Sequence, residues 1–141
     1  MFWCKVLKSD FLTQGPKVPK FENIVKDYVG VSHAIAVNSA TSALHIACLS
    51  LGLGKGDILW TSPNTFVASA NCGVYCGSKV DFVDIDEKNY NICPDKLEKK
   101  LIKATKNNCL PKILVVVHFA GQSCEMIRIN ELSKKYKFKI I

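Results

Sequence analysis

The stretch Ile58-Leu-Trp-Thr-Ser-Pro-Asn-Thr-Phe-Val-Ala-Ser-Ala-Asn-Cys-Gly-Val-Tyr-Cys-Gly-Ser-Lys-Val-Asp-Phe-Val83 decides the fold. Ile58–Thr61 is a short apolar run closed by Ser-Pro, which reads as a strand and its turn. Phe66–Tyr75 is an apolar segment of helical length, and Val80–Val83 is apolar again. A strand, a helix and a second strand at this spacing make a unit whose strands run parallel.

The alternation continues on both sides. Downstream, Pro94–Ala104 reads as a helix, Ile113–Phe119 as a strand, Cys124–Tyr136 as a helix, and Phe138–Ile141 opens a further strand. Ile113-Leu-Val-Val-Val117 is apolar at every position, as expected of a strand buried on both faces. Upstream, Phe21, Ile24, Val25, Tyr28 and Val29 recur at i, i+3, i+4, i+7 and i+8, one face of a helix stopped at Gly30. Ala34–Val37 reads as a short strand. From Ala40 the period of Leu44, Ala47, Cys48 and Leu51 gives a helix closed by Gly52 and Gly54. The expected fold class is α/β, a mainly parallel sheet with helices on both faces, without an internal repeat.

Composition narrows the function classes. The 141 residues are 48% hydrophobic and 22% charged, far from a disordered composition. The net charge is +7, but Arg128 is the single arginine beside the lysines. Nucleic-acid readers use the arginine fork for bidentate contacts, so the lysine excess reads as solvated outer faces and no nucleic-acid partner is expected. The 7 cysteines are an odd set at irregular spacing without a C-x-x-C, which suits a reducing cytoplasm. Cys72 and Cys76 stand at i, i+4 without an accompanying His or second Cys pair, and Asp84 and Asp86 lack a third ligand, so no metal site is expected. No apolar run has the length of a membrane span.

Three strand ends carry chemistry-bearing residues. Val37-Asn-Ser-Ala-Thr-Ser42 feeds a helix that opens on small hydroxyl residues; it reads either as a phosphate cradle or as an ordinary Ser N-cap. Ser62-Pro-Asn-Thr-Phe66 is the second, and Phe66 is either a ring able to stack on a flat cofactor or a core aromatic. His118-Phe-Ala-Gly-Gln122 is the third, where Gly121 permits close backbone approach to a ligand, or else His118 is a satisfied polar group in a plain loop. The Gly52-x-Gly54-x-Gly56 run follows a helix instead of a strand, so it is a turn and not a nucleotide fingerprint.

Taken in order, Leu12-Thr-Gln-Gly-Pro16, Val37-Asn-Ser-Ala-Thr-Ser-Ala-Leu-His45, Ser62-Pro-Asn-Thr-Phe-Val-Ala-Ser69, Val80-Asp-Phe-Val-Asp-Ile-Asp86 and Val117-His-Phe-Ala-Gly-Gln122 resemble the DegT/StrS-type sugar-nucleotide aminotransferases. That family shares the fold-type I architecture and uses pyridoxal 5'-phosphate. The resemblance implies that Ala40 and Thr41 hold the cofactor phosphate and that Phe66 stacks on its ring. It also implies that Asp10, Phe11, Leu12 and Thr13, with Ala40, border the nucleotide-sugar. On this reading residues 1–19 are an N-terminal segment with a substrate-side loop, and 20–141 are part of the large cofactor-binding domain, cut short at its C-terminal end. The Schiff-base Lys and the Asp that pairs with the ring nitrogen then lie beyond Ile141, so these residues supply no catalytic group and the chain by itself is expected to be inactive.

The wording around Ser9–Gly15 and Ser62–Cys72 is similar to family members that aminate C4 of a UDP-linked 4-keto-6-deoxy-N-acetylhexosamine in pseudaminic acid biosynthesis. Glutamate as amino donor, a homodimer and a cytoplasmic location follow from the same resemblance. A dehydratase carrying His for the Schiff-base Lys, or a non-catalytic binding domain, fits the same residues.

Overall fold

The computed structural model describes residues 2–13 and 15–141, so Gln14 of the Leu12–Pro16 motif lies outside the described residues. Along the chain run α1 (Phe2–Leu7), α2 (Lys17–Val29), α3 (Ala40–Ser50), β1 (Ile58–Thr61), α4 (Ala68–Tyr75), β2 (Lys79–Phe82), α5 (Pro94–Lys106), β3 (Ile113–Leu114), α6 (Met126–Tyr136) and β4 (Lys139–Ile140). The described strands form one sheet in the order β2-β1-β3-β4. Every pair is parallel, with Trp60 opposite Asp81 and Leu114, and Leu114 opposite Ile140.

Period-two alternation along β1 and β3 stacks the layers. Leu59, Ile113 and Val115 enter a core with Cys48, Leu53 and Cys72 from the α3 and α4 side. Trp60 and Leu114, one residue along, enter a second core with Leu97, Leu101 and Ala104 of α5, Ile129 and Leu132 of α6, and Phe138. Helices therefore cover both faces of a parallel sheet, as the sequence pattern requires. Each fully buried Leu or Ile here contributes roughly 1.5–3 kcal/mol relative to exposure. Gly73 lets α4 come down onto the sheet: a Cβ there would stand 3.0 Å from Val80 Cγ2 and 3.1 Å from Leu59 Cβ.

The ends of several elements differ from the sequence expectation. Pro63 and the turn after it delay α4 to Ala68, so Phe66 precedes the helix. Regular pairing of β3 covers Ile113–Leu114, and single hydrogen bonds extend it, Val115 N to Trp60 O and Val116 N to Ile141 O at 2.8 Å each. Helix α1 had no signal strong enough to be anticipated. One expectation is overturned: Ala34–Val37 forms no strand. A strand exists by pairing, and the described hydrogen bond of this run is from Ala36 N to a side chain, Glu22 Oε1 at 2.8 Å, while Ile35 is 78% exposed.

The chain divides into two compact units, 1–38 and 39–141. In the first, α2 ends at Gly30 in the left-handed region (φ 72°), whose N–H bonds Lys26 O at 3.0 Å. Gly15 is packed so closely on Phe11 that a Cβ would lie 2.6 Å from Phe11 Cβ, which explains a glycine at this point of the motif. The second unit holds the sheet. No helix among the described residues is long and apolar enough to cross a membrane.

Candidate functional site

β1 has β2 on one side and β3 on the other, so the strand order reverses there and the crevice between the carboxyl ends of β1 and β3 is the switch point where ligands of open α/β sheets bind. At the exit of β1, Thr61 and Ser62 are buried, and Thr61 Oγ1 donates to Val115 O at 3.1 Å, tying the two strand ends together. The chain then turns through Pro63 to Phe66. Thr65 Oγ1 and Ser69 Oγ stand 2.9 Å apart, and Ser69 N bonds Phe66 O at 3.0 Å, fixing the entry to α4. Phe66 is 72% exposed and lies outside both cores of this chain.

At the exit of β3 the loop 118–123 is held from within by a residue that the sequence did not single out. Asn91 is buried; its Oδ1 accepts from Phe119 N at 2.8 Å and its Nδ2 donates to Gln122 O at 3.0 Å and Ser123 O at 3.3 Å. A buried amide that meets a donor and two acceptors sets a loop geometry that no apolar residue could. His118 Nδ1 accepts from Cys124 N at 3.2 Å, so His118 is a satisfied polar group of this loop. Gly121 is required by its φ of 81°, with open space around its Cβ direction. The signal for Asn91 was faint, an Asn in the polar turn between Ile85 and Ile92, which pair in an isolated antiparallel bridge.

At the start of α3 the structure shows the N-cap alternative. Ser39 is an N-cap, extended at φ −160° and ψ 157°, and its Oγ accepts from Ser42 N at 3.2 Å. Ala43 N reaches Ser39 O at 3.0 Å. The helix itself offers no acceptor to the amides of Ala40 and Thr41, the first two of its four unpaired N–H groups. Those amides, the positive end of the helix dipole and the Thr41 hydroxyl make a cradle suited to a phosphate. Ala40 is exposed and Thr41 half-buried.

Asp10–Thr13 form an exposed turn of the first unit, in which Ser9 Oγ donates to Val6 O at 2.8 Å and Phe11 O at 3.1 Å. Ala40, Thr41 and Phe66 belong to the second unit. There α3 and α4 meet through the Cys48 and Cys72 thiols and through the His45 and Tyr75 rings, 5.4 Å apart, contacts that do not involve the three residues. Burial, with the neighbouring Cys72 second, pushes the Cys48 thiol up to about 12, and burial raises Cys72 as well. Both behave as small core residues. Asp84 pairs with Lys96 at 2.8 Å, an interaction that holds its carboxyl below the usual range, and Asp86 Oδ1 accepts from Lys88 N at 2.8 Å. These carboxylates order a turn. No group of three or more His, Cys, Asp or Glu among the described residues could hold a metal ion.

The family model for the DegT/DnrJ/EryC1/StrS aminotransferases matches residues 3–141. The chain belongs to this family. Among its DegT relatives is the UDP-4-amino-4,6-dideoxy-N-acetyl-beta-L-altrosamine transaminase of Campylobacter jejuni, 45% identical over 137 residues, 97% of this chain and 35% of that protein. A DegT DnrJ EryC1 StrS aminotransferase from Brucella abortus superposes with a TM-score of 0.91 at 30% identity, over 97% of this chain and 37% of that one. The PLP form of the putative sugar aminotransferase Spr1654 from Streptococcus pneumoniae gives a TM-score of 0.84 at 26% identity, over 96% and 33% of the two chains. The chain thus spans about a third of the length of the curated relatives it matches, 35% of the Campylobacter protein.

Proposed function

We propose that these 141 residues are the cofactor-phosphate and substrate-entry part of a pyridoxal-phosphate-dependent aminotransferase that moves an amino group, from glutamate, to C4 of a UDP-linked 4-keto-6-deoxy-N-acetylhexosamine. The observation that carries the cofactor reading is the start of α3, where capping by Ser39 leaves the Ala40 and Thr41 amides to a phosphate. When bound, pyridoxal phosphate supplies an electron sink for bonds at the amino-bearing carbon.

The chain's own residues bind and orient. Ala40 N–H, Thr41 N–H and the Thr41 hydroxyl donate to phosphate oxygens, and the exposed Phe66 ring offers a flat apolar face to the cofactor ring. Asn91 and Thr61 hold the two strand ends at fixed geometry, so the cofactor's surroundings need little reorganisation. By the same resemblance Asp10, Phe11, Leu12 and Thr13 of the first unit, and separately Ala40 of the second, are assigned to the nucleotide-sugar. The sugar assignment is supported by similarity to the Campylobacter transaminase. A role in pseudaminic acid biosynthesis, a homodimeric assembly and a cytoplasmic location belong to the same reading.

Two measurements test it. Incubating the complete protein with the UDP-linked 4-keto sugar and ¹⁵N-glutamate should place ¹⁵N on C4 by NMR, and a product without nitrogen at C4 rules out the transaminase. Thr41→Val should lower cofactor retention on dialysis by roughly 1.5–3 kcal/mol, the worth of a hydrogen bond to a charged group. Phe66→Ala should lower it by about 0.5–1.5 kcal/mol. Unchanged retention in both folded variants would remove these residues from the site.

A further inference from the structure

The loop after β3 leaves the sheet at the same edge as the turn after β1, because the two strands pair in parallel, Leu59 opposite Ile113 and Trp60 opposite Leu114. His118 opens that loop. Its Nδ1 accepts from Cys124 N at 3.2 Å, so the ring's lone pair sits on Nδ1 and the proton of the neutral imidazole on Nε2. That bond occupies Nδ1 alone. His118 is exposed, and its Nε2 has no hydrogen-bond partner among the described residues. The side chain therefore presents a neutral N–H donor at the carboxyl end of the sheet, where open α/β sheets bind their ligands.

The donor is held from several directions. Gly121 N donates to His118 O at 3.0 Å and Cys124 Sγ to Val117 O at 3.2 Å, which pins the backbone on both sides of the ring. Asn91, 2% exposed, closes the same loop through Phe119 N, Gln122 O and Ser123 O. Within it Ala120 and Gly121 stand at φ 51° and 81°, two consecutive left-handed residues. Alanine seldom takes this conformation, and such positions persist where the surroundings over-determine them, commonly at ligand sites.

We propose that His118 is a substrate-specificity residue whose Nε2–H donates to an uncharged oxygen, keto or hydroxyl, of the sugar moiety, and that Asn91 is a positioning residue acting through it. The inference rests on the nucleotide-sugar reading above and adds the group that recognises the sugar. A neutral donor suits an uncharged oxygen, whereas the phosphates of cofactor and nucleotide are matched by charge or by a helix start. Open space in the Cβ direction of Gly121 lets a ligand approach the backbone of the loop closely. A site built around such a donor rejects analogues that lack the acceptor.

The test uses the complete protein labelled with ¹⁵N-histidine, the His118 signals being assigned by their loss in His118→Asn. In the neutral ring Nε2 should carry the proton and Nδ1 should not. The Nε2 signal should move saturably with the UDP-linked 4-keto sugar and stay in place with UDP. His118→Asn keeps an acceptor for Cys124 N through its side-chain oxygen; it should weaken the sugar roughly three- to tenfold and leave UDP binding and cofactor retention unchanged. Asn91→Ala should weaken the sugar to a similar extent and add nothing to His118→Asn, because it acts through the same ring. The proposal is overturned by a ring protonated on Nδ1, by equal sugar binding in His118→Asn and the parent, or by additive losses in the double variant. A parent protein that binds the sugar no better than UDP removes the nucleotide-sugar reading and this donor together. Preference for the sugar with an unmoved Nε2 signal removes the donor alone.

Discussion

Helices α2 and α5 are each 13 residues long, and each carries an apolar stripe at helical spacing. Their fates differ. In α5, Leu97, Leu101 and Ala104 are buried against the sheet, while in α2 no residue is buried and Phe21, Ile24 and Tyr28 are 59%, 57% and 93% exposed. The same contrast runs through the two units, since no described residue from Cys4 to Asn38 is buried whereas the second unit holds two cores. A periodic stripe therefore specifies a helix and the face it offers. It does not specify what covers that face, and the covering surface supplies most of the stabilisation.

The sharpest way to break this comparison is to truncate one residue of each stripe. Leu101→Ala should cost about 2–5 kcal/mol through lost burial and the cavity left behind, whereas Ile24→Ala should lie within about 0.5 kcal/mol of the parent. Urea unfolding followed by circular dichroism measures both, and equal losses would mean that α2 has a buried face. Next in size is Asn91→Ala, which leaves a buried donor and acceptors of loop 118–123 unpaired and should cost about 1–3 kcal/mol. Amide exchange at Phe119 should accelerate in that variant, with the exchange of α2 unaffected.

The smallest effect concerns Asp57, at the turn between α3 and β1. A hydrogen bond from Lys112 at 2.8 Å, and another from Gly54 N at 2.9 Å, hold its carboxyl below the ordinary range. With the folded value depressed, the unfolded chain binds more protons. The contribution is therefore complete above the ordinary carboxylate range and is lost as the pH falls through it and below. For a partly exposed pair this amounts to roughly 0.2–1 kcal/mol. Asp57→Asn should flatten the acid limb of stability against pH, and an unaltered limb would show that the pair contributes nothing.

Much of the fold was legible because its signals are local. Ile58–Thr61 is found as the sequence places it, and β2, α5 and α6 fall within a few residues of expectation. Ser39 was readable as a cap, because a hydroxyl ahead of a helix satisfies its own N–H groups without help from elsewhere. Ala34–Val37 misled because its apolar residues imply a strand, while a strand is completed by a neighbour that the run itself cannot encode.

The sequence by itself determined the order of strands and helices, their parallel arrangement, the capped start of α3 and the family, all properties carried by residues adjacent along the chain. Only the tertiary structure decided that Asn91 ties together the loop after β3, that Phe66 lies outside the cores, and that the buried Trp60 indole N–H has no partner among the described residues. Asn91 lies 28 positions from Phe119, a span over which side-chain hydrogen bonding follows from how layers pack and leaves no periodic trace in the chain.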